Sequence, residues 1–185
     1  MSLGPIFTPA NQLTLMRMLL IPAFVILLIY GYRGWALVTF MAAGLTDLFD
    51  GLIARLTGEK TVLGAWLDPM ADKLLLVTMF VILTLPGIGG PNRLPLWFTV
   101  LVISRDVAIV ATVAVVNLAV GPRTFRPSIY GKVATALYIV TGVAALYFNY
   151  RGEASALVDA LIWASLAITF ISAAHYGVQV ARLRH

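Results

Sequence analysis

Six apolar stretches, separated by short polar or glycine- and proline-containing breaks, run through the 185 residues. The first covers about Leu13 to Tyr30 and ends at the Gly31 to Gly34 turn signal. The second begins at Trp35, stays apolar to Leu45, and continues through Asp47 to Arg55. After the polar break Thr57-Gly58-Glu59, the third starts near Val62 and stops at Pro86-Gly87. The fourth runs from about Leu96 to Val120, the fifth from about Ser128 to Tyr147, and the sixth from about Ala154 to Val180. A bilayer core needs about 20 apolar residues per helical crossing, so the pattern predicts an all-α integral membrane protein built as a six-transmembrane-helix bundle. It forms a single domain over residues 1–185, with residues 1–12 as a short irregular segment in which Pro5 and Pro9 favour extended backbone. No basic stretch precedes the first apolar run, which therefore reads as a retained span.

Composition agrees: mean hydropathy is +0.94, and charged residues make up 11% of the chain, far below the roughly 25% of a soluble domain. Cysteine is absent, so a disulfide framework and a thiolate metal site are both excluded. The net charge of +5 favours anionic headgroups or phosphate-bearing substrates, and no soluble basic arm points to nucleic acid. Near the ends of the stretches, Arg55, Lys60, Arg123, Arg126, Arg182 and Arg184 fall on one side, against Arg33, Arg93 and Arg151 on the other. The positive-inside rule places the first group, with both termini, on the cytoplasmic face. Trp35, Trp97, Tyr147 and Tyr150 fit an aromatic belt at the opposite surface.

Against this apolar background, four aspartates in Thr46 to Lys73 need a reason. Asp47 and Asp50 are three apart at the end of the second stretch, and Asp68 and Asp72 are four apart at the start of the third. Each pair therefore shares one helix face, and the short connection sets the pairs at similar depth. Four carboxylates without nearby histidine or cysteine are a hard oxygen set, suited to Mg²⁺ or Mn²⁺ and poorly suited to Zn²⁺. Two such ions would leave room for a diphosphate and support in-line attack at phosphorus. Gly51, Ala54 and Gly64 either let helices pack closely or let a flat nucleotide approach the backbone. Intramembrane carboxylates also mark ion pathways, which makes a divalent-cation or proton-coupled transporter the alternative. The absence of a fixed-period repeat and the place of the aspartates at one membrane face count against it.

The run Asp47-x-x-Asp50-Gly51-x-x-Ala54-Arg55, eight further residues, then Gly64-x-x-x-Asp68-x-x-x-Asp72 resembles the complete signature of the CDP-alcohol phosphotransferases, and no position departs from it. The resemblance implies a homodimeric membrane enzyme that transfers a phosphatidyl or similar group from a CDP-activated donor to an alcohol and releases CMP. It implies that Asp47, Asp50 and Asp68 are metal ligands. Asp72 would join them and act as general base, while Gly51, Ala54, Arg55 and Gly64 would line the CDP site. The opening PANQLTLMRMLLIP is similar to both phosphatidylglycerolphosphate synthases and cardiolipin synthases. LVISRDVAIV, the segment Phe125 to Val140, and His175 to Gly177 look more like the cardiolipin synthases. The expected donor is thus CDP-diacylglycerol, with phosphatidylglycerol as preferred acceptor and glycerol-3-phosphate as the alternative, in a bacterial cytoplasmic membrane with the site facing the cytoplasm, the mitochondrial inner membrane being the alternative location.

Candidates for the acceptor or lipid phosphate are Arg105, Lys132, Arg126, Arg123 and Arg17. Each has a plainer reading. Arg105 pairs with Asp106 or a neighbouring carboxylate, Arg123 and Arg126 serve only the charge bias, and Arg17, one turn after Thr14, snorkels to the interface. Asp159 and Glu153 favour the start of the last helix, and His175 is a packing or interfacial residue.

Overall fold

The computed structural model describes residues 9–57, 62–120 and 129–182, with side chains described over 12–46, 70–112 and 129–174 and at Val115 and Leu118. The described chain is all helix: α1 Pro9–Ile29, α2 Arg33–Thr57, α3 Val62–Thr84, α4 Leu96–Val120, α5 Ile129–Arg151 and α6 Ala156–Arg182. α4 coincides with its expected bounds. α1 begins at Pro9, four residues before Leu13, because a proline in the first turn has no hydrogen bond to lose and its fixed φ suits the helix. α5 runs four residues past Tyr147.

Two of these helices stop by the same device. At the end of α1, Gly31 adopts φ 79°, Tyr32 N–H donates to Leu27 O at 2.8 Å and Gly31 N–H to Leu28 O at 3.1 Å. At the end of α5, Gly152 adopts φ 72°, Glu153 N–H donates to Phe148 O at 3.1 Å and Gly152 N–H to Asn149 O at 3.2 Å. Both are Schellman closures, in which a left-handed glycine lets the chain return to satisfy the last carbonyls. α6 then starts under a serine cap, Leu157 N–H donating to Ser155 Oγ at 3.3 Å, with Asp159 in its first turn. Glu153 pairs with Arg151 at 3.0 Å on the exposed surface.

α1 packs on α2 and α3, α2 on α5, α5 on α6, and α4 joins α3 to α6. The buried core contains Phe24 against Phe40 and a triangle of edge-on rings, Phe80, Phe98 and Tyr138, with centroids 5.7 to 6.2 Å apart. α3 and α5 meet most tightly at Gly142, where an added Cβ would lie 2.1 Å from the Met79 methyl. Between α5 and α6, Thr141 Oγ1 lies 3.1 Å from Ser165 Oγ and the Tyr138 hydroxyl bonds Thr169, while the buried Ser172 hydroxyl of α6 has no hydrogen-bond partner among the described residues.

At the end of the bundle holding the α3–α4 and α5–α6 loops, two buried asparagines form a clasp. Asn149 Nδ2 donates to Gly89 O at 2.7 Å, and Asn149 Oδ1 accepts from Asn92 N–H at 2.8 Å and Asn92 Nδ2 at 3.0 Å. Asn92 Nδ2 also donates to Glu153 O, and Asn92 Oδ1 accepts from Ser155 N–H, both at 2.7 Å.

The outside of the bundle is apolar. Leu19, Val38, Leu74, Val107, Leu118, Ile129, Trp163 and Phe170 are all exposed, a surface that water would not tolerate over this extent. Among the described residues, Gln12–Ile29, Ile129–Arg151 and Ala156–Ala174 are long and apolar enough to cross a membrane. Trp35, Trp97, Tyr147 and Tyr150 are exposed as a belt requires. The chain is a membrane protein.

Candidate active site

The aspartate pairs lie on adjacent helices. Asp47 and Asp50 occupy the C-terminal part of α2, and Asp68 and Asp72 the N-terminal part of α3. α2 and α3 pack against each other and both pack against α1. The positions of Gly51, Ala54 and Arg55 continue α2, and Gly64 lies in the first turn of α3. Their side chains, with those of Asp47, Asp50 and Asp68, lie outside the described residues.

Asp72 shows what α1 contributes. Arg17 Nη1 donates to Asp72 Oδ1 at 2.5 Å, and the Arg17 side chain is 0% exposed while that of Asp72 is 39% exposed. On its other side, Arg17 Nε donates to Thr46 Oγ1 at 3.4 Å. The Thr46 hydroxyl gives its own proton to Ala43 O at 2.7 Å, so its oxygen is free to accept. Thr14, one turn before Arg17, is also fully buried. A charged head with no exposure is not snorkelling; Arg17 is sealed behind the partly exposed carboxylate. The sequence could point to this only through the Thr14/Arg17 pair in an otherwise apolar helix and through Thr46 standing next to Asp47.

A second polar cluster joins α4 to α5. Arg105 Nη1 donates to Asp106 Oδ1 at 2.8 Å and Nη2 to Gly131 O at 3.2 Å, the pairing expected on the plainer reading. Its Nε is buried without a partner. Lys132, the next residue after Gly131, is exposed in the first turn of α5. Between α3 and α4 a groove of about 370 Å³ is lined by Lys73, Val77, Ile103, Asp106, Val107, Val110 and Ala111. Its walls are apolar, and its charged members adjoin Asp72 on one side and Arg105 on the other. Arg123 and Arg126 lie outside the described residues. His175 lies in α6, but its side chain is likewise outside them.

The donor set suits a divalent metal. Four carboxylates on two packed helices, with no cysteine in the chain, offer hard oxygen ligands only. The described member, Asp72, is accessible and already sits against a positive charge.

Residues 7–171 match the CDP-alcohol phosphatidyltransferase family, whose members generally work with divalent metal ions. The chain is 31% identical over 181 residues to the "Probable phosphatidylglycerophosphate synthase" of Mycobacterium tuberculosis, covering 94% of this chain and 81% of that protein. It is 33% identical over 206 residues to human "Cardiolipin synthase (CMP-forming)", covering 94% of this chain and 66% of the human protein. The rat protein of the same name is 33% identical over 194 residues, and the match spans 62% of its length. A match over nearly the whole helical region of a membrane protein identifies the chain as a member of the CDP-alcohol phosphatidyltransferase family of enzymes.

Proposed function

We propose that the enzyme transfers the phosphatidyl group of CDP-diacylglycerol to phosphatidylglycerol, forming cardiolipin and releasing CMP. The observation that carries the reaction is the partly exposed Asp72 carboxylate on α3, held by a buried guanidinium and followed in sequence by Lys73, which lines a groove walled by apolar side chains. A partly exposed, ionised carboxylate can accept a proton. A groove of that lining suits a substrate that keeps its acyl chains in the bilayer.

In the proposed step, Asp72 takes the proton of the acceptor hydroxyl. The hydroxyl oxygen forms a bond to the β-phosphorus of the donor, the bond from that phosphorus to the bridging oxygen breaks, and its electron pair leaves with CMP. Asp47, Asp50, Asp68 and Asp72 would hold two Mg²⁺ or Mn²⁺ ions, which supply charge neutralisation for the diphosphate and the departing CMP. Gly51, Ala54, Arg55 and Gly64 line the CDP moiety. Lys132 and Arg105, with Arg123 and Arg126 from the basic loop, face the acceptor phosphate. All six helices cross the membrane, the enzyme is a homodimer, and the site opens to the cytoplasm of a bacterial cell. The exposed apolar surface and the basic residues at the aspartate end support that placement.

The preference for phosphatidylglycerol rests on Arg105-Asp106-Val107, on Phe125 to Val140 with Tyr138, and on His175 to Gly177. Glycerol-3-phosphate is the second reading, favoured by the match along 81% of the mycobacterial protein whose name specifies phosphatidylglycerophosphate synthesis. Incubating purified protein with CDP-diacylglycerol and either acceptor, and identifying the lipid product, separates the two. Exclusive formation of phosphatidylglycerophosphate would overturn the preferred acceptor.

A further inference from the structure

Arg17 bonds to Asp72 on α3 and to Thr46 on α2, the residue before Asp47, so one α1 side chain ties together the two helices that carry the aspartates. Its guanidinium is wholly buried. A charge at that burial is tolerated only where opposite charge and hydrogen bonds compensate its lost hydration. Here Asp72 provides the charge and Thr46 a second acceptor. Because the Thr46 hydroxyl proton is committed to Ala43 O, the guanidinium is held from both sides.

We propose that Arg17 is a built-in counter-cation of the carboxylate cage. It holds α2 and α3 together before any metal arrives, and it sets divalent-ion affinity below that of four unopposed carboxylates. The inference rests on the metal-binding reading of Asp47, Asp50, Asp68 and Asp72 proposed above. With all four ionised, the set carries four negative charges, and Arg17 reduces the total to three. Ligand charge count is one of the levers by which oxygen sites tune affinity, and near a low-dielectric interior a fixed unit charge a few ångströms away acts strongly. Arg17 acts on the cage through its charge and its bond to Asp72 and neither ligates the metal nor moves the proton, so its role is one of positioning.

The test uses Mn²⁺ alone as probe, without substrate, on detergent-purified full-length protein. Binding is followed by electron paramagnetic resonance, and thermal unfolding is recorded with and without the ion. Arg17→Gln is expected to bind Mn²⁺ at least about tenfold more tightly than wild type. It should unfold at lower temperature without metal and gain more from Mn²⁺, while Arg17→Lys stays close to wild type in both respects. Should Arg17→Gln unfold too readily to titrate, the apolar Arg17→Met serves instead and is likewise expected to bind Mn²⁺ more tightly than wild type. A purely structural role would lower stability without raising affinity. Mn²⁺ binding by Arg17→Gln, or by Arg17→Met in its place, that is equal to or weaker than wild type overturns the inference. Failure of the wild-type protein itself to bind Mn²⁺ would instead overturn the metal-binding reading, and the inference with it.

Discussion

Replacing Asn149 by leucine keeps a side chain of similar shape while removing its three amide hydrogen bonds, to Gly89 O and to Asn92 N–H and Nδ2. Asn92 Nδ2 retains Glu153 O, so two backbone groups, Gly89 O and Asn92 N–H, lose a partner in the substitution. Gly89 and Asn92 are both buried, and each orphaned group costs about 1–3 kcal/mol. The apolar leucine recovers part of that through its own burial, which leaves a net destabilisation of about 2–4 kcal/mol. For a chain of this length that corresponds to a fall in Tm of roughly 5–15 °C on the scale of soluble domains. Thermal unfolding of the detergent-purified protein, read by tryptophan fluorescence, measures it. Arg151→Ala is the control on the adjoining turn. It removes exposed contacts to Glu153 and Tyr147 and should leave the melting temperature nearly unchanged, since exposed pairs contribute little. The reasoning is refuted if Asn149→Leu and Arg151→Ala melt within about 2 °C of each other, since each kcal/mol should be visible at that scale.

Asp72→Asn and Asp47→Asn should each abolish CMP release from CDP-diacylglycerol while the protein remains folded by gel filtration; turnover near wild type in Asp72→Asn would remove the base assignment. Treatment with a chelator should stop CMP release and added Mg²⁺ or Mn²⁺ should restore it, with Zn²⁺ a poor substitute because the donors are all oxygen. Gly142→Val should destabilise by about 1–3 kcal/mol through overpacking against Met79. Met79→Ala in the same chain should recover part of the loss in a thermal melt, and a purely additive double variant would contradict the close contact. Lys132→Ala should raise KM for the acceptor lipid and leave KM for CDP-diacylglycerol unchanged in steady-state assays.

What was legible in the sequence followed from local rules. The α4 bounds, Leu96–Val120, were readable because Pro95 before it and Gly121-Pro122 after it flank a largely apolar run, interrupted at Ser104-Arg105-Asp106. The aspartate spacing was readable because it is a within-helix relation, and the family match confirms the enzyme class it pointed to. Arg17 was not settled in the same way. Whether a guanidinium near a helix start reaches water or lies buried depends on its partners, and Asp72 is 55 positions away. The Asn92–Asn149 clasp, with 57 positions between its members, left no signal at all, since a lone asparagine in a loop and another near a helix end look like ordinary turn residues. Bland readings fared well where charge pairs were adjacent, as in Arg105 with Asp106.

The contact between Met79 and Gly142 fixes more than packing density. α3 and α5 run in the same direction, as the bond from Asn149 near the end of α5 to Gly89 just past α3 requires. A side chain seated against a glycine is a notch that sets the axial register of one helix on the other, and lengths can be counted from it. Asp72 lies seven residues before Met79, about 10.5 Å along the axis at 1.5 Å per residue, and Lys132 lies ten residues before Gly142, about 15 Å. Lys132 therefore stands about 4–5 Å further along the bundle axis than Asp72, toward the N-terminal ends of α3 and α5. A slip of α3 by one residue would move Asp72 by about 1.5 Å and turn it by about 100°. The seam at the middle of the bundle is thus the gauge by which two charges near its end are spaced.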